Sequence, residues 1–522
     1  MLRLKRVTWR YPSSKTAVLG PVDLEVRPGE LVLLTGPTGC GKSTLLRLAA
    51  GLLQRHGQGQ MGGEASLGGA DPAKLAPAER AARLGFVSQE PADQIVTGSL
   101  GDEIGFSLES LGEPPERIEA RIHEALVELD LPLEPERSPT ALSGGQRQRL
   151  VVASALAAGA GLLLLDEPLA WLDPEGAQSL MARLRARADA GLAVLMVEHR
   201  LEVVLPWVDR CMLMHRGRMI EQYHNRNIMI QPFLDLGLSP PGLIELDARL
   251  DGLGWSRDAA LPRLRPPARP SLEAPRGAAL VEVQGLQVAY GAHKALHGVS
   301  LALRPGERVA LLGANGSGKS TLLGALSGRV RAPGVRRAGR VVDVPQEPDL
   351  SLFNPTVADE LAYGPREARL GREAVERRVA AAAQGLSVGD LLGEAPQALS
   401  RGQRLRVAVA AALTAAPDVL LLDEPTAGQD GEQVERLMAA LHTALGEGAA
   451  LLFATHDVDL ALRHARRWVV LHEGRVVADG PPAEVLSALP AELPLRAPPL
   501  IAWLLERGLP PATPAEVVSW LA

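Results

Sequence analysis

Cysteine is nearly absent from this sequence: Cys40 and Cys211 are the two thiols in 522 residues. That excludes a disulfide framework and a cysteine-rich zinc site, and free thiols suit a reducing compartment. Lysine is scarce as well. Six of the 55 basic residues are lysine, at positions 5, 15, 42, 74, 294 and 319, and the other 49 are arginine. Excess positive charge is missing, since 61 Asp+Glu outweigh the basic residues for a net charge of −6. This argues against nucleic-acid binding by bulk charge and leaves only a local basic patch open. Long apolar runs are missing too. The longest uncharged stretch, Val151 to Leu165, has 15 residues, whereas a membrane helix needs about 20. It reads as the end of a buried helix followed by a buried strand. The opening MLRLKRVTWRYP carries charges without an apolar centre, so no secretory signal is expected there.

What the chain does contain is itself, twice. Ser143 and Ser400 lie 257 residues apart, and so do Asp166 and Asp423, His199 and His456, and Gln89 and Gln346. Upstream the register changes, because Lys42 and Lys319 differ by 277. The front half therefore holds 20 extra residues in its glycine-rich stretch near GQGQMGGEASLGGADPAKLAPAER, and the back half has a shorter loop or hairpin. In each half short Val/Leu runs alternate with longer Ala/Leu/Arg helical patterns, which predicts an α/β fold with a mostly parallel sheet. The expected boundaries are a first domain at 1–225, a helical appendix and Pro/Arg-rich linker at 226–278, a second domain at 279–480 and a C-terminal helical appendix at 481–522. A disordered tail is the alternative reading of the appendices.

GPTGCGKST (Gly36 to Thr44) and GANGSGKST (Gly313 to Thr321) each follow an apolar run and open a helical pattern. Glycines at 36, 39 and 41, and at 313, 316 and 318, let successive amides, including that of Asn315, face a phosphate at a helix N-terminus. Lys42 and Lys319 are expected to reach the terminal phosphates of ATP, with Ser43, Thr44, Ser320 and Thr321 beside them and Ser43 and Ser320 on Mg²⁺. LLLLDEP and VLLLLDEP deliver Asp166 and Asp423 to the ends of buried strands, where each can serve Mg²⁺. Glu167 and Glu424 follow as residues that can polarise the attacking water. His199 and His456 are candidates for the γ-phosphate, and Gln89 and Gln346 for Mg²⁺ or the water. Tyr11 and Tyr290 precede their loops by similar distances in a chain with four tyrosines, which suggests stacking on adenine; core packing is the competing reading.

Two further pentapeptides, LSGGQ at 142–146 and LSRGQ at 399–403, carry no strong base, metal cluster or activated nucleophile. With them the chain resembles a tandem ATP-binding-cassette (ABC) ATPase. The resemblance implies two P-loop NTPase ABC-type nucleotide-binding domains, each with an antiparallel β subdomain, a helical signature subdomain and a small helical appendage. It also implies two shared ATP sites, in which Ser143, Gly144 and Gly145 cover the nucleotide on Lys319, while Ser400 and Gly402 cover that on Lys42. Asp173 and Asp430 match the family's interfacial loop, with Gln429 in place of Leu172. Arg401 stands where the first signature has Gly144, so the two sites are expected to differ, unless Arg401 points into solvent and changes little.

The stretches after the glutamines, 89–112 and 346–367, correspond to the family's docking groove for a membrane partner. Asp102, Glu103 and Phe106, with Asp359, Glu360 and Tyr363, resemble the pattern of energy-coupling-factor importers of vitamins and transition metals, as does VEHRLE at 197–202. Ser351 replaces the glutamine expected opposite Gln94. This resemblance implies a transmembrane coupling subunit, whose arginines meet an acidic groove, and a small membrane substrate-binding subunit. It also implies peripheral attachment to the cytoplasmic face of the cell membrane and no nucleic-acid partner. A fused sugar-importer ATPase and a soluble tandem ATPase of translation are the alternatives.

Overall fold

The computed structural model describes residues 1–12, 14, 16–55, 59–224, 231–238, 240–267, 277–291, 293–426, 431–489 and 497–521. They form two units, Met1–Pro241 and Gly242–Ala522.

In the front unit β1 (Leu2–Arg10), β2 (Leu19–Val26) and β4 (Gln60–Leu67) make an antiparallel sheet in the order β2-β1-β4. A second sheet runs β5-β6-β7-β3-β8-β9 and is built from β3 (Leu31–Thr35), β5 (Leu84–Val87), β6 (Leu162–Asp166), β7 (Ala193–Val197), β8 (Arg210–His215) and β9 (Arg218–His224). All its pairs are parallel except β8–β9. The leucine runs are explained by this sandwich. In β6, Leu163 and Leu165 enter the core beneath the helices, while Leu162 and Leu164 enter the core shared with the small sheet. A parallel strand covered on both faces has no polar side to show. Full burial of each such leucine is worth about 1.5–3 kcal/mol.

In the back unit β10 (Val281–Tyr290), β11 (His293–Leu303) and β13 (Val335–Arg337) form the small sheet, β11-β10-β13. The large sheet runs β14-β15-β16-β12-β17-β18. Its strands are β12 (Arg308–Leu312), β14 (Val341–Val344), β15 (Val419–Asp423), β16 (Ala450–Thr455), β17 (Arg467–His472) and β18 (Arg475–Gly480). The length difference between the halves falls where expected. β4 has eight residues and is followed by the short helix Pro77–Ala81, whereas β13 has three and leads directly into β14.

Each unit also carries three helices between its Gln89 or Gln346 and its LLLLD strand: Leu100–Ser110, Pro115–Glu128 and Gly144–Ala157 in front, Val357–Glu367, Arg372–Gly385 and Arg401–Thr414 behind. The run from Val151 is thus the end of Gly144–Ala157 followed by β6. The appendix segments form a single helical cluster inside the back unit. Leu246 and Leu250 of Gly242–Asp251 share a core with Leu500, Trp503 and Leu504 of Pro499–Glu506 and Val517 and Trp520 near the chain end. The Arg265 amide donates to the Trp520 carbonyl at 2.8 Å, closing this cluster around an entire intervening domain. Among the described residues no helix is long and apolar enough to cross a membrane.

Candidate nucleotide and active sites

Strand register brings the chemistry together. Asp166 pairs with Val197 and Leu34 with Val197, so the ends of β6, β7 and β3 share one edge; Asp423, Ala454 and Leu311 do the same behind. The loop after β3 turns into the helix Lys42–Ala49 through Gly41 at φ 108°, and its counterpart enters Lys319–Ser327 through Gly318 at φ 104°. Side chains avoid that conformation. Space forbids them too, since a Cβ at 318 would lie 2.8 Å from the Ala295 carbonyl oxygen. Gly39 and Gly316 face open space.

Both lysines are buried and already curl over their own loops. Lys42 Nζ donates to the Gly36 carbonyl at 2.7 Å and the Pro37 carbonyl at 3.0 Å; Lys319 Nζ donates to Gly313 at 2.7 Å and Ala314 at 3.1 Å. Ser43 Oγ donates to Asp166 Oδ1 at 3.0 Å. Burial, then the charge of Glu167, pushes the Asp166 pKa up to about 6; burial does the same to Asp423, also to about 6. Asp423 Oδ1 is buried without a hydrogen-bond partner among the described residues. Crowded, desolvated carboxylates beside a serine hydroxyl are what a divalent cation relieves. Among the described residues no cluster of three or more His, Cys, Asp or Glu could hold a metal by itself. A cation bound here would draw on Ser43 or Ser320, the glutamines and the phosphates it accompanies. Mg²⁺ with ATP therefore fits these residues, and when bound it supplies charge neutralisation at the phosphate oxygens.

Glu167 and Glu424 occupy left-handed backbone, φ 51° and 50°, which is costly for a residue with a side chain. Their amides are pinned to the Val197 and Ala454 carbonyls, both at 2.9 Å. Gln89 Nε2 donates to Glu167 Oε2 at 2.8 Å, and His199 Nε2 lies 3.4 Å from Glu167 Oε1. Behind, His456 Nδ1 lies 3.1 Å from Glu424 Oε2, and Lys319 Nζ 3.6 Å from Oε1. Burial alone would raise both glutamates. For Glu424 it is outweighed by the charge and hydrogen bond of His456 and by Lys319, which bring the pKa to about 2; for Glu167 the hydrogen bond and charge of His199, with Lys42 and Gln89, also lower it. Both stay ionised and able to accept a proton from water.

The signature serines are N-caps. Ser143 Oγ accepts from the Gln146 amide at 3.3 Å while Gln146 Oε1 accepts from the Ser143 amide at 3.0 Å; Ser400 and Gln403 repeat this at 3.4 and 2.9 Å. The capping box fixes the first turn and places the first-turn amides at the exposed helix N-terminus, an arrangement suited to an anion. A Cβ on Gly144 would press on the Trp171 ring at 2.9 Å. Arg401, at the matching position, is half-buried and so does not simply point into solvent.

Other expected positions vary. Tyr11 is half-buried, meets Trp9 edge-on at 5.9 Å and approaches Thr44 Oγ1 at 3.3 Å, whereas Tyr290 is 53% exposed. Asp173 caps the helix Pro174–Asp189 through the Gly176 amide at 2.8 Å. Gln429 and Asp430 lie outside the described residues. The acidic-groove expectation needs correction. Glu103 is buried, and its Oε2 accepts the Val96 and Thr97 amides at 3.1 Å and the Thr97 hydroxyl at 2.8 Å. Glu360 is buried likewise and accepts the Phe353 and Asn354 amides at 2.9 and 2.8 Å. One acid of each pair is thus a turn clamp, spent on orphan amides, and only Asp102 and Asp359 have surface access. Two residues with no role from motif reasoning, Glu198 and Arg200, sit beside His199 and grip the loop behind Glu167; VEHR was the only signal.

Known proteins agree with this architecture. The model of the ABC transporter family matches residues 19–170 and 296–427. The chain belongs to that family, as two ATPase domains in tandem. It hydrolyses ATP and binds it with Mg²⁺. A protein of Methanosarcina mazei, 34% identical over 93% of this chain and 90% of its own, is provisionally named an ABC transporter ATP-binding protein. So is one of Streptomyces avermitilis, 38% identical over 95% and 96%. A Bacillus subtilis relative, 30% identical over 93% and 92%, is provisionally named an HMP/thiamine import ATP-binding protein. The archaeal ribosome recycling factor aABCE1, solved with the ribosomal stalk protein aP1, superposes with a TM-score of 0.62 over 92% of this chain and 91% of that one. At 23% identity this is a likeness of fold.

Proposed function

We propose that this chain is the ATP-hydrolysing, energy-coupling subunit of a membrane importer for a vitamin, a vitamin precursor or a transition-metal ion. In this reading it sits at the cytoplasmic face of the cell membrane, bound to a transmembrane coupling subunit that works with a small substrate-binding membrane subunit. Two nucleotides are held head to tail, each on one phosphate loop and under the other half's signature, with Glu167 and Glu424 polarising water. The observation that carries the membrane-partner part is the surface after each glutamine. Val96 and Phe106 in front match Phe353 and Tyr363 behind, and these four, with Leu350 beside the latter pair in sequence, are 44–70% exposed. Phe353 and Tyr363 meet edge to face at 4.8 Å. Apolar side chains gathered at the one place where the family docks a partner are better explained by an interface than by chance. The transport name of the Bacillus subtilis relative supports the cargo class.

The test is co-expression with neighbouring multispanning membrane proteins. A complex that survives detergent purification, takes up substrate with ATP and is lost in F106E/Y363E while the free chain's ATP turnover persists is the expected result. Purification of the chain on ribosomes, with no membrane subunit retained, would replace this reading with the soluble one.

A further inference from the structure

His199 is flanked by two side chains that reach in the same direction. Glu198 follows β7, is 2% exposed, and spends both carboxylate oxygens on backbone: Oε1 accepts the Leu169 amide at 2.7 Å and Oε2 the His199 amide at 3.0 Å. Arg200 donates through one guanidinium nitrogen to the Leu169 carbonyl at 3.0 Å and the Leu172 carbonyl at 2.7 Å. The segment they hold begins at Glu167, in left-handed backbone, and ends at Asp173, the cap of Pro174–Asp189. Local bonds, Ala170 amide to Glu167 carbonyl at 3.2 Å and Leu172 amide to Leu169 carbonyl at 3.0 Å, do not by themselves tie it to the histidine.

The back half lacks these side chains. Thr455 and Asp457 occupy the two positions, and both turn inward on their own loop: Thr455 Oγ1 accepts the Asp457 amide at 3.0 Å, and Asp457 caps Val458–His464 through the Leu460 amide at 3.0 Å. A fully buried carboxylate costs stability, and more so near another. Burial and then the charge of Glu167 both raise the pKa of Glu198. The threonine of the other half shows that the strand end folds without it.

We propose that Glu198 and Arg200 are positioning residues of the front nucleotide site, a carboxylate–guanidinium brace that joins the loop from Glu167 to Asp173 rigidly to His199 before nucleotide arrives. The back half does not use this device. This rests on Glu167 being the water-polarising residue. An error of about 1 Å in such a group can cost on the order of a hundredfold in rate, so the brace acts on the chemical step rather than on ATP affinity.

The test combines two measurements on the full chain. In nucleotide-free protein, hydrogen exchange of the peptide covering 167–173 is compared between the natural chain, E198A and R200A. The Leu169 amide is expected to lose protection by about tenfold or more in either variant. In steady-state turnover of a chain whose back site is silenced by E424Q, both variants are expected to lower kcat by about tenfold, with the KM for ATP within about threefold and the melting temperature measured alongside. R200K, which keeps a donor, should recover part of the rate. Unchanged exchange at Leu169, or a rate loss that appears only as a raised KM or a lowered melting temperature, overturns the brace. Should E198A fail to fold, R200A, whose side chain is only half-buried, decides alone. Full turnover by an E167Q/E424Q chain would instead remove the reading of the glutamates, and the exchange result would still stand or fall by itself.

Discussion

Replacing Asp166 by asparagine should stabilise the nucleotide-free front unit, and by an amount that depends on pH. The folded pKa of Asp166 is raised from 3.8 to about 6, chiefly by burial. Below pH 3.8 the carboxyl is neutral in both states and costs nothing. As pH rises towards 6 the unfolded chain ionises first, so the folded state binds the extra proton and stability falls; above 6 the loss is complete. A shift of about two units at 1.36 kcal/mol per unit gives about 2–3 kcal/mol. Asparagine cannot ionise and keeps an oxygen for Ser43. Any fixed cost of its amide cancels when the advantage of D166N is taken as a difference between pH 4 and pH 7.5. For a unit of 241 residues this corresponds to about 5–10 °C in melting temperature. Scanning calorimetry without magnesium or nucleotide makes the comparison. Addition of Mg²⁺ and ATP should then raise the melting temperature of the natural chain well above that of D166N, because the cation relieves the same buried charge. An advantage that fails to grow with pH, or shrinks, refutes the idea that the site holds a desolvated carboxylate in wait for a metal.

E167Q and E424Q, each alone, should retain ATP binding yet differ from one another in residual turnover by about threefold or more, a contrast that a phosphate-release assay reads directly. R401G, which restores glycine at the second signature, should narrow that contrast; an unchanged ratio would place the asymmetry elsewhere. Ending the chain before Pro498 removes the partners of Leu246 and Leu250 in the helical cluster, at about 1.5–3 kcal/mol for each large side chain uncovered. Limited proteolysis should then cut within 242–264 while sparing the front unit, and resistance there would show that the cluster stands without its C-terminal half.

The nucleotide-facing groups were legible because their chemistry is written in backbone terms. Glycines at 41 and 318 are demanded by left-handed helix entries, and four-leucine runs by strands buried on both faces. Duplication supplied the rest, since Asp166 and Asp423 confirm one another at equal spacing. Side chains whose role depends on a distant amide were not legible. Nothing adjacent to Glu103 or Glu360 announces that the turns at Val96–Thr97 and Phe353–Asn354 will fold back onto them, so they read as surface charge. Glu198 escaped for the same reason: its partner, the Leu169 amide, is 29 residues away. The sharing of one core by Gly242–Asp251 and Pro499–Glu506 spans a whole domain, and helical periodicity describes each segment without naming its mate.

The most direct measurement is a crosslink between positions 143 and 316 in a chain carrying S143C, G316C, C40S, C211A, E167Q and E424Q. Joining within one molecule only when ATP and Mg²⁺ are present is expected if the front signature closes over the nucleotide on the back phosphate loop. No joining with nucleotide bound, or equal joining without it, would contradict the head-to-tail arrangement.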